Sequence, residues 1–580
     1  MDYEKLSASM SALVEEFEFQ GTAMMTAGPR AVPLASDDPT ALPTVFAYIR
    51  CDPEAMIAPM SGVKMQSRRG TVRTALVSFE GLGQLSEHPE VHRIAPAVTL
   101  KPLNDVAAQK TRLPDYKSRT SRSGRGVIVG VVDSGIDANH PAFSGRIHSI
   151  WDQTITGTGW GTTNYGMILS GSTLPVSLDT NGHGTHVAGI AAGDDAGFGG
   201  VASEATLVVV KTNFLNLGIG DGIRYIFTIA DQLDMPAVVN LSLGGHHDPH
   251  DGSDDLSELI NERSGPGRII VAAAGNEGTD DIHGAVIVAP GQTVEMLFSV
   301  PANSQAGATP FVRLNGWYGQ DGDCEIGIQT SSGDATPLQP VISPGSPSRT
   351  YNFTNAIVRL TTPPVTSTPN GDHQFLVELV PGPFSSFVQG GTWRLRIRNN
   401  GSSDTQIDVW SIVPQGARDV VFLGPFNSPE MKIGSPGAAE QAITVGSFTS
   451  RNTWSDSTGT SRSVGLSVGT ISDFTSPGPL RNGARKPDVT APGAMIISCL
   501  SSQSSPPASN LIGNGFRVNA GTSMACPFIT GLAALLLQGD PTLTANSVKA
   551  ELQAHSRIPG IASGTFDPQW GFGLIDVGSL

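Results

Sequence analysis

The sequence predicts an α/β protein: a mostly parallel sheet with helices on both faces, preceded by a small α+β region and interrupted by an all-β segment. Apolar runs at 126–132, 207–210, 237–241 and 268–273 alternate with helical stretches at about 183–193, 220–234 and 253–263. Strands buried on both faces read as continuous apolar runs, so this alternation implies a parallel sheet covered by helices, with functional groups at the carboxyl ends of its strands. From about 281 to 432 the helical period is lost. Alternating segments at 293–300, 311–318, 324–330, 374–380, 392–398 and 406–413 are separated by Gly, Pro, Ser and Asn clusters, the pattern of a β-sandwich or jelly roll.

In chain order, a short helix is expected over 3–17, followed by an Ala-, Pro- and Asp-rich stretch without a period. Strand-like segments at 44–50, 71–79 and 91–95 flank a helical stretch at 82–88, which gives the small α+β unit. Residues 101–125 are polar and basic with little pattern, and read as a linker. The α/β region resumes near Ser435-Pro436-Gly437 and ends in a helix at about 544–555. The expected organisation is therefore 1–105, 106–280, 281–432 and 433–580.

A chain of 580 residues is too long for one core, since domains typically run to about 100–200 residues. The 68 Gly, 41 Pro and 15% charged residues favour turns and strands over long charged helices. A net charge of −16 argues against nucleic acid or an anionic membrane as partner, because binding to phosphate needs clustered Lys and Arg. The opening Met1-Asp2-Tyr3-Glu4-Lys5 lacks the basic start and apolar core of a secretory signal, and no run of 18 apolar residues predicts a membrane span. The expected location is cytoplasmic, or outside by a route without a recognisable signal. Cysteines at 51, 324, 499 and 526 are too scattered for a disulfide framework or a zinc site.

The chemistry centres on Gly521-Thr522-Ser523-Met524-Ala525-Cys526-Pro527, where a Gly-Thr turn presents a serine at the start of a small-residue helix. Serine needs a base to become a nucleophile, and the base needs an orienting group. His183 in Asn181-Gly182-His183-Gly184-Thr185-His186 and Asp133, which ends the apolar run at 126–132, are the candidates. Singly, such residues more often cap helices, pack cores or form turns. Their order, Asp then His then Ser, together with Val239-Asn240-Leu241-Ser242-Leu243-Gly244-Gly245, Ala272-Ala273-Ala274-Gly275-Asn276-Glu277-Gly278 and Lys486-Pro487-Asp488-Val489-Thr490-Ala491-Pro492-Gly493, resembles the subtilisin family of serine peptidases.

The resemblance implies a subtilisin-like fold, with Ser523 as nucleophile, His183 as base, Asp133 as orienting acid and Asn276 as oxyanion-hole donor. Ser242, Leu243, Gly244, Ala273 and Gly275 match the segments that line a peptide substrate. By the same likeness, the α+β unit within 1–105 resembles an inhibitory propeptide, and the 281–432 segment an insertion found in clostridial spore-germination peptidases. A serine endopeptidase made as an autoprocessed zymogen is expected, first cut between about 100 and 125, with a protein or peptide substrate and its own propeptide as partners. The rival reading is a latent protease-fold scaffold whose sandwich recognises a partner.

No metal or other cofactor is expected. Calcium, common in the family, is not supported, because Ala142 stands where an acidic ligand is usual and the loop 193–199 looks short. Metal hydrolysis through His183 and His186 fails because Gly184 stands where a zincin helix needs Glu. His186 and Asp137 are expected to be structural. The run His246-His247-Asp248-Pro249-His250-Asp251 fits no standard zinc spacing and reads as a solvated loop.

Overall fold

The computed structural model describes residues 2, 44–52, 55–65, 72–96, 105–161, 164–302, 311–340, 348–362, 370–413, 418–513 and 515–580. The helix expected over 3–17 lies outside them. The chain forms two compact units, Met1–Pro102 and Leu103–Leu580.

In the first unit, four antiparallel strands lie in the order Val63–Met65, Val72–Ser78, Thr44–Cys51, Val91–Pro96. The helix Phe79–Ser86 is capped by Ser78, whose Oγ accepts from the Gly81 amide at 3.1 Å. It packs Phe79, Leu82 and Leu85 against Val45, Ala47, Ile49, Val77 and Ile94.

The second unit is built on a ten-stranded sheet whose central strands are parallel, in the order Val489–Pro492, Ile443–Phe448, Arg268–Ala273, Ala237–Leu241, Ile128–Asp133, Thr206–Lys211 and Ile147–Asp152. The alternation of side chains along each strand divides the core into two layers. Val129, Val131, Leu207, Val209 and Val238 pack on one face with the helices His183–Ala192 and Thr522–Gly539. Ile128, Val132, Val208, Val210, Val239 and Leu241 pack on the other with Asn216–Leu233 and Asp255–Arg263. The Thr522–Gly539 helix is long and apolar enough to span a bilayer, but 83% of it is buried in this core. No disulfide joins the four cysteines, all of which are buried.

Between Ala273 and Ile443 the chain builds two antiparallel sheets facing one another. The six-stranded sheet runs His283–Val288, Thr405–Ile412, Val312–Tyr318, His373–Pro381, Ala356–Thr361, Ser348–Asn352. The five-stranded sheet runs Gln339–Pro340, Cys324–Gln329, Gly391–Asn399, Thr293–Val300, Val421–Phe422. Phe375, Val377, Leu379, Ile407 and Val409 of the first meet Met296, Phe298, Trp393, Leu395 and Ile397 of the second.

Two expectations are overturned. The linker read over 101–125 is in large part helical: Asp105–Lys110 and Leu113–Thr120 are helices. Leu113 and Tyr116 are buried in the main core, and Arg112 makes a bidentate ion pair with Asp576 at 2.7 and 2.6 Å. The His-rich run is likewise no solvated loop. His250 is fully buried, with its ring stacked on Trp410 of the sandwich at 3.8 Å, and Trp410 stacks in turn on His283 at 4.6 Å. Asn315 Nδ2 donates to the carbonyls of His246 (2.9 Å) and Asp248 (3.1 Å), so the sandwich clasps this loop through its backbone.

Candidate active site

Each expected residue sits where a parallel strand ends or a helix begins. Asp133 closes its strand with a fully buried carboxylate, whose Oδ1 accepts from His183 Nδ1 at 2.8 Å and from the Ser134 amide at 2.7 Å. Its Oδ2 is buried without a partner among the described residues. His183 opens its helix, and the next residue has to be glycine because a Cβ at Gly184 would lie 2.2 Å from the Gly135 carbonyl oxygen. Burial disfavours the imidazolium of His183, but the Asp133 carboxylate outweighs it, and the ring titrates above its ordinary value.

Asp179, which sequence reasoning missed, fixes the entry to this helix. Its buried carboxylate accepts from Ser134 Oγ and from the Gly182 and Thr185 amides, each at 2.9 Å, and from Thr185 Oγ1 at 2.5 Å. Asp137 and His186 are structural: Asp137 Oδ2 takes the Ser502 amide at 2.8 Å, and His186 Nε2 lies 3.2 Å from the carbonyls of Ile496 and Arg517. Burial pushes the His186 imidazole down to about 3.

Ser523 is the second residue of the Thr522–Gly539 helix. Its hydroxyl donates to the Ser242 carbonyl at 3.2 Å and is not hydrogen-bonded to His183. The Asn276 side-chain oxygen accepts from the Thr522 amide at 2.9 Å and from Thr522 Oγ1 at 3.1 Å. An amide N–H can bond only to the oxygen end, so this orients Asn276 and leaves its Nδ2 without a partner among the described residues. Gly275, at φ +108°, makes the turn into Asn276, and a Cβ there would lie 2.6 Å from both Glu277 Oε2 and Ser476 Oγ.

Ser523, Asn276, Ser242, Leu243, Gly244, Ala273 and Gly275 all line one cavity of about 230 Å³. His246, Glu277 and Lys432 line it too, three residues that the sequence alone did not single out for this place. Glu277 stands in the motif beside Asn276 and could have been noticed; Lys432 arrives from the end of the inserted segment. Among the described residues, no group of three or more His, Cys, Asp and Glu side chains is placed to hold a metal ion.

The subtilase family pattern matches residues 124–345 and 388–573, and the chain belongs to that family of serine proteases. The serine protease AprX of Bacillus subtilis is 40% identical over 199 residues, which is 30% of this chain and 42% of the relative. The major intracellular serine protease of the same organism is 31% identical over 202 residues, 33% of this chain and 56% of that protein. The chain thus spans about half or less of the length of these two relatives. The CspB protease of Clostridium perfringens superposes with a TM-score of 0.65 over 82% of this chain and 98% of that one, at 23% identity, a likeness of fold.

Proposed function

We propose that the chain is a serine endopeptidase acting through Asp133, His183 and Ser523, with Asn276 and the Ser523 backbone N–H as oxyanion donors. The observation that carries this is the 2.8 Å bond from His183 Nδ1 to a fully buried Asp133 carboxylate, beside a cavity that holds Ser523 and Asn276. Asp133 accepts a hydrogen bond from Nδ1–H, which keeps that proton on Nδ1 and leaves the His183 Nε2 lone pair to take the proton of Ser523 as its oxygen attacks the scissile carbonyl. The imidazolium so formed is stabilised by Asp133 and returns the proton to the leaving amine. The negative charge developing on the carbonyl oxygen would meet Asn276 Nδ2, which has no partner among the described residues. An extended peptide would pair with the backbone at Ser242–Gly244 and Ala273–Gly275.

In this reading residues 1–105 act as an inhibitory propeptide, and the 281–432 insertion limits access for large substrates. A latent scaffold is favoured by one observation, the Ser523 hydroxyl turned to the Ser242 carbonyl. Catalytic hydrogen bonds are often unmade before substrate binds, so this orientation does not by itself exclude catalysis. A fluorescent serine-directed phosphonate decides between the two. Labelling at Ser523, together with peptide release lost in Ser523→Ala, supports the peptidase; an unlabelled, inert protein supports the scaffold.

A further inference from the structure

The cavity beside Ser523 has glycine and alanine walls and a polar base. Glu277 Oε2 accepts from the Asn276 amide and from Ser476 Oγ, both at 2.7 Å, while no protein group bonds Oε1 among the described residues. His246 Nε2 lies 3.7 Å from Glu277 Oε2, too far for a hydrogen bond, and its side chain is 15% exposed. The base of the cavity therefore offers a carboxylate oxygen and a ring nitrogen, both open to whatever enters.

Protons on the loop follow from its bonds. The Asp248 carbonyl can only accept, so His250 carries its proton on Nδ1, 3.0 Å away. Burial, reinforced by His246, keeps His250 uncharged, so its Nε2 is a lone pair. His246 Nδ1, 2.9 Å from that lone pair, must then donate. The remaining His246 nitrogen, Nε2, faces the Glu277 carboxylate and gains by carrying a second proton. Burial opposes this and Glu277 outweighs it, so the ring titrates above its ordinary value; the carboxylate, although half-buried, is held down to about 2 by His246, Ser476 and the Asn276 amide. Two further acidic groups act on His246: Asp248 on its own loop, whose carboxyl is pushed up by burial to about 7, and Asp419 near the end of the insertion, whose carboxyl burial also raises. Arg313 of the sandwich faces its neighbour His247, and Lys432 is engaged by the Gly278 and Asp280 carbonyls at 3.3 and 2.6 Å.

We propose that His246 and Glu277 select a substrate residue with an uncharged carboxamide end, glutamine or asparagine, immediately before the cut bond. This rests on the peptidase reading above. A carboxamide accepts from His246 Nε2 and donates to Glu277 Oε1 at once. A carboxylate meets Glu277, an ammonium or guanidinium meets His246, and a hydrocarbon leaves both polar groups unpaired, which a site built for hydrogen bonding strongly rejects.

The test uses processed enzyme from the full chain and four fluorogenic peptide amides that differ only in the last residue: Gln, Glu, Lys or Leu. The Gln peptide should exceed each of the others by at least about tenfold in kcat/KM, the effect of one or two unpaired buried polar groups. Two variants should move the ratios in different directions, and each ratio is independent of the fraction of active protein. His246→Phe, which keeps a flat ring in the stack, should bring the Gln to Leu ratio close to unity. Glu277→Gln should raise the Glu to Gln ratio at least about tenfold by removing the repulsion. A wild-type preference for Leu or Lys, or ratios unmoved in both variants, overturns the assignment and leaves the peptidase reading standing. No cleavage of any peptide together with no phosphonate labelling of Ser523 overturns both.

Discussion

Ser523 and Ser242 are joined twice: the Ser523 hydroxyl donates to the Ser242 carbonyl at 3.2 Å, and the Ser242 hydroxyl donates to the Ser523 carbonyl at 2.9 Å. The second bond, supported by Asn240 Nδ2 donating to Ser242 Oγ at 2.9 Å, fixes the first turn of the helix to the strand edge without using the nucleophilic oxygen. Ser523→Ala therefore loses only the weaker bond. It should abolish hydrolysis while shifting unfolding stability by less than about 1 kcal/mol. Urea denaturation alongside a release assay checks both halves, and residual turnover would remove the central assignment.

In the proposed oxyanion role Asn276 would act on charge that exists only in the transition state, so Asn276→Ala should lower kcat roughly 100- to 1000-fold, a size belonging to subtilisins themselves and carried here by family membership. The same change leaves the Thr522 amide without its 2.9 Å acceptor, so a stability loss of about 1 kcal/mol should accompany it. Steady-state kinetics decide: a rise in KM as large as the fall in kcat would speak against an oxyanion role.

His183 must be neutral to take a proton, and its folded-state value lies above 6.5 because Asp133 outweighs burial. Activity should accordingly rise with pH through a transition above 6.5. In Asp133→Asn the charge is gone and burial remains, so the transition should move below that value while kcat falls by about 10⁴. Rate profiles taken with a Leu-terminated peptide, which makes no hydrogen bond to His246, isolate this group. Profiles that coincide in the two proteins would count against the Asp133–His183 pair.

The sheet and the four motif residues were legible because their signals are local: apolar runs mark strands buried on both faces, and each motif lies within a few residues. What was misread depends on distant partners. The run at 246–251 looks solvated until Trp410 and Asn315, from strands far along the chain, are packed on it. The Leu113–Thr120 helix has a polar sequence, and its docking depends on distant partners: the core that takes Leu113 and Tyr116, Asp576 bound by Arg112, and the Gly200 and Leu580 carbonyls bound by Lys117 and Arg119. The strand Ser348–Asn352 lies at a sheet edge with no fully buried residue, so it carries no alternation to read. Asp179 was missed although three of its four donors, the Gly182 and Thr185 amides and Thr185 Oγ1, lie within six residues of it; only Ser134 Oγ comes from a distant strand end.

The grip of the sandwich on this loop yields a prediction about substrate choice. Trp410→Leu removes the ring against which His250 stacks and leaves the Met431 carbonyl without its 2.9 Å indole donor. A loss of about 3 kcal/mol is expected from the cavity. Since His246 is bonded to His250, the preference set in the pocket should relax, while phosphonate labelling of Ser523 persists. Peptide-library profiling at a temperature where the variant is folded checks this. A destabilised variant with an unchanged cleavage profile would reduce the stack to a structural role.

Maturation follows from the docked helix. A cut within 113–120 would have to unwind Leu113–Thr120 and strip Leu113 and Tyr116 from the core, where Tyr116 also receives Arg122 Nη1 at 2.7 Å. Just beyond, the Ser123 and Gly124 amides both bond Gln538 Oε1, at 2.8 and 2.7 Å, which ties this stretch to the Thr522–Gly539 helix. The first cut should therefore fall before Leu113–Thr120, not across the whole of 100–125. If the pocket prefers a carboxamide, Asn104 and Gln109 are the suitable residues between 97 and 112, and of these Gln109 lies within the helix Asp105–Lys110, which leaves Asn104 as the expected site. We expect the wild-type chain to convert, at a rate independent of protein concentration, into a piece of roughly one sixth to one fifth of the length and a partner beginning at Asp105. Ser523→Ala should stay uncut, and added residues 1–104 should inhibit the processed enzyme. Asn104→Leu should slow the conversion at least about tenfold, in line with the hydrogen bonds a hydrocarbon cannot make. Intact mass and N-terminal sequencing decide: a chain that remains full length while digesting peptides would show that the N-terminal unit is not an autoprocessed inhibitor, and a cut elsewhere in 97–104 would keep maturation but count against the carboxamide pocket.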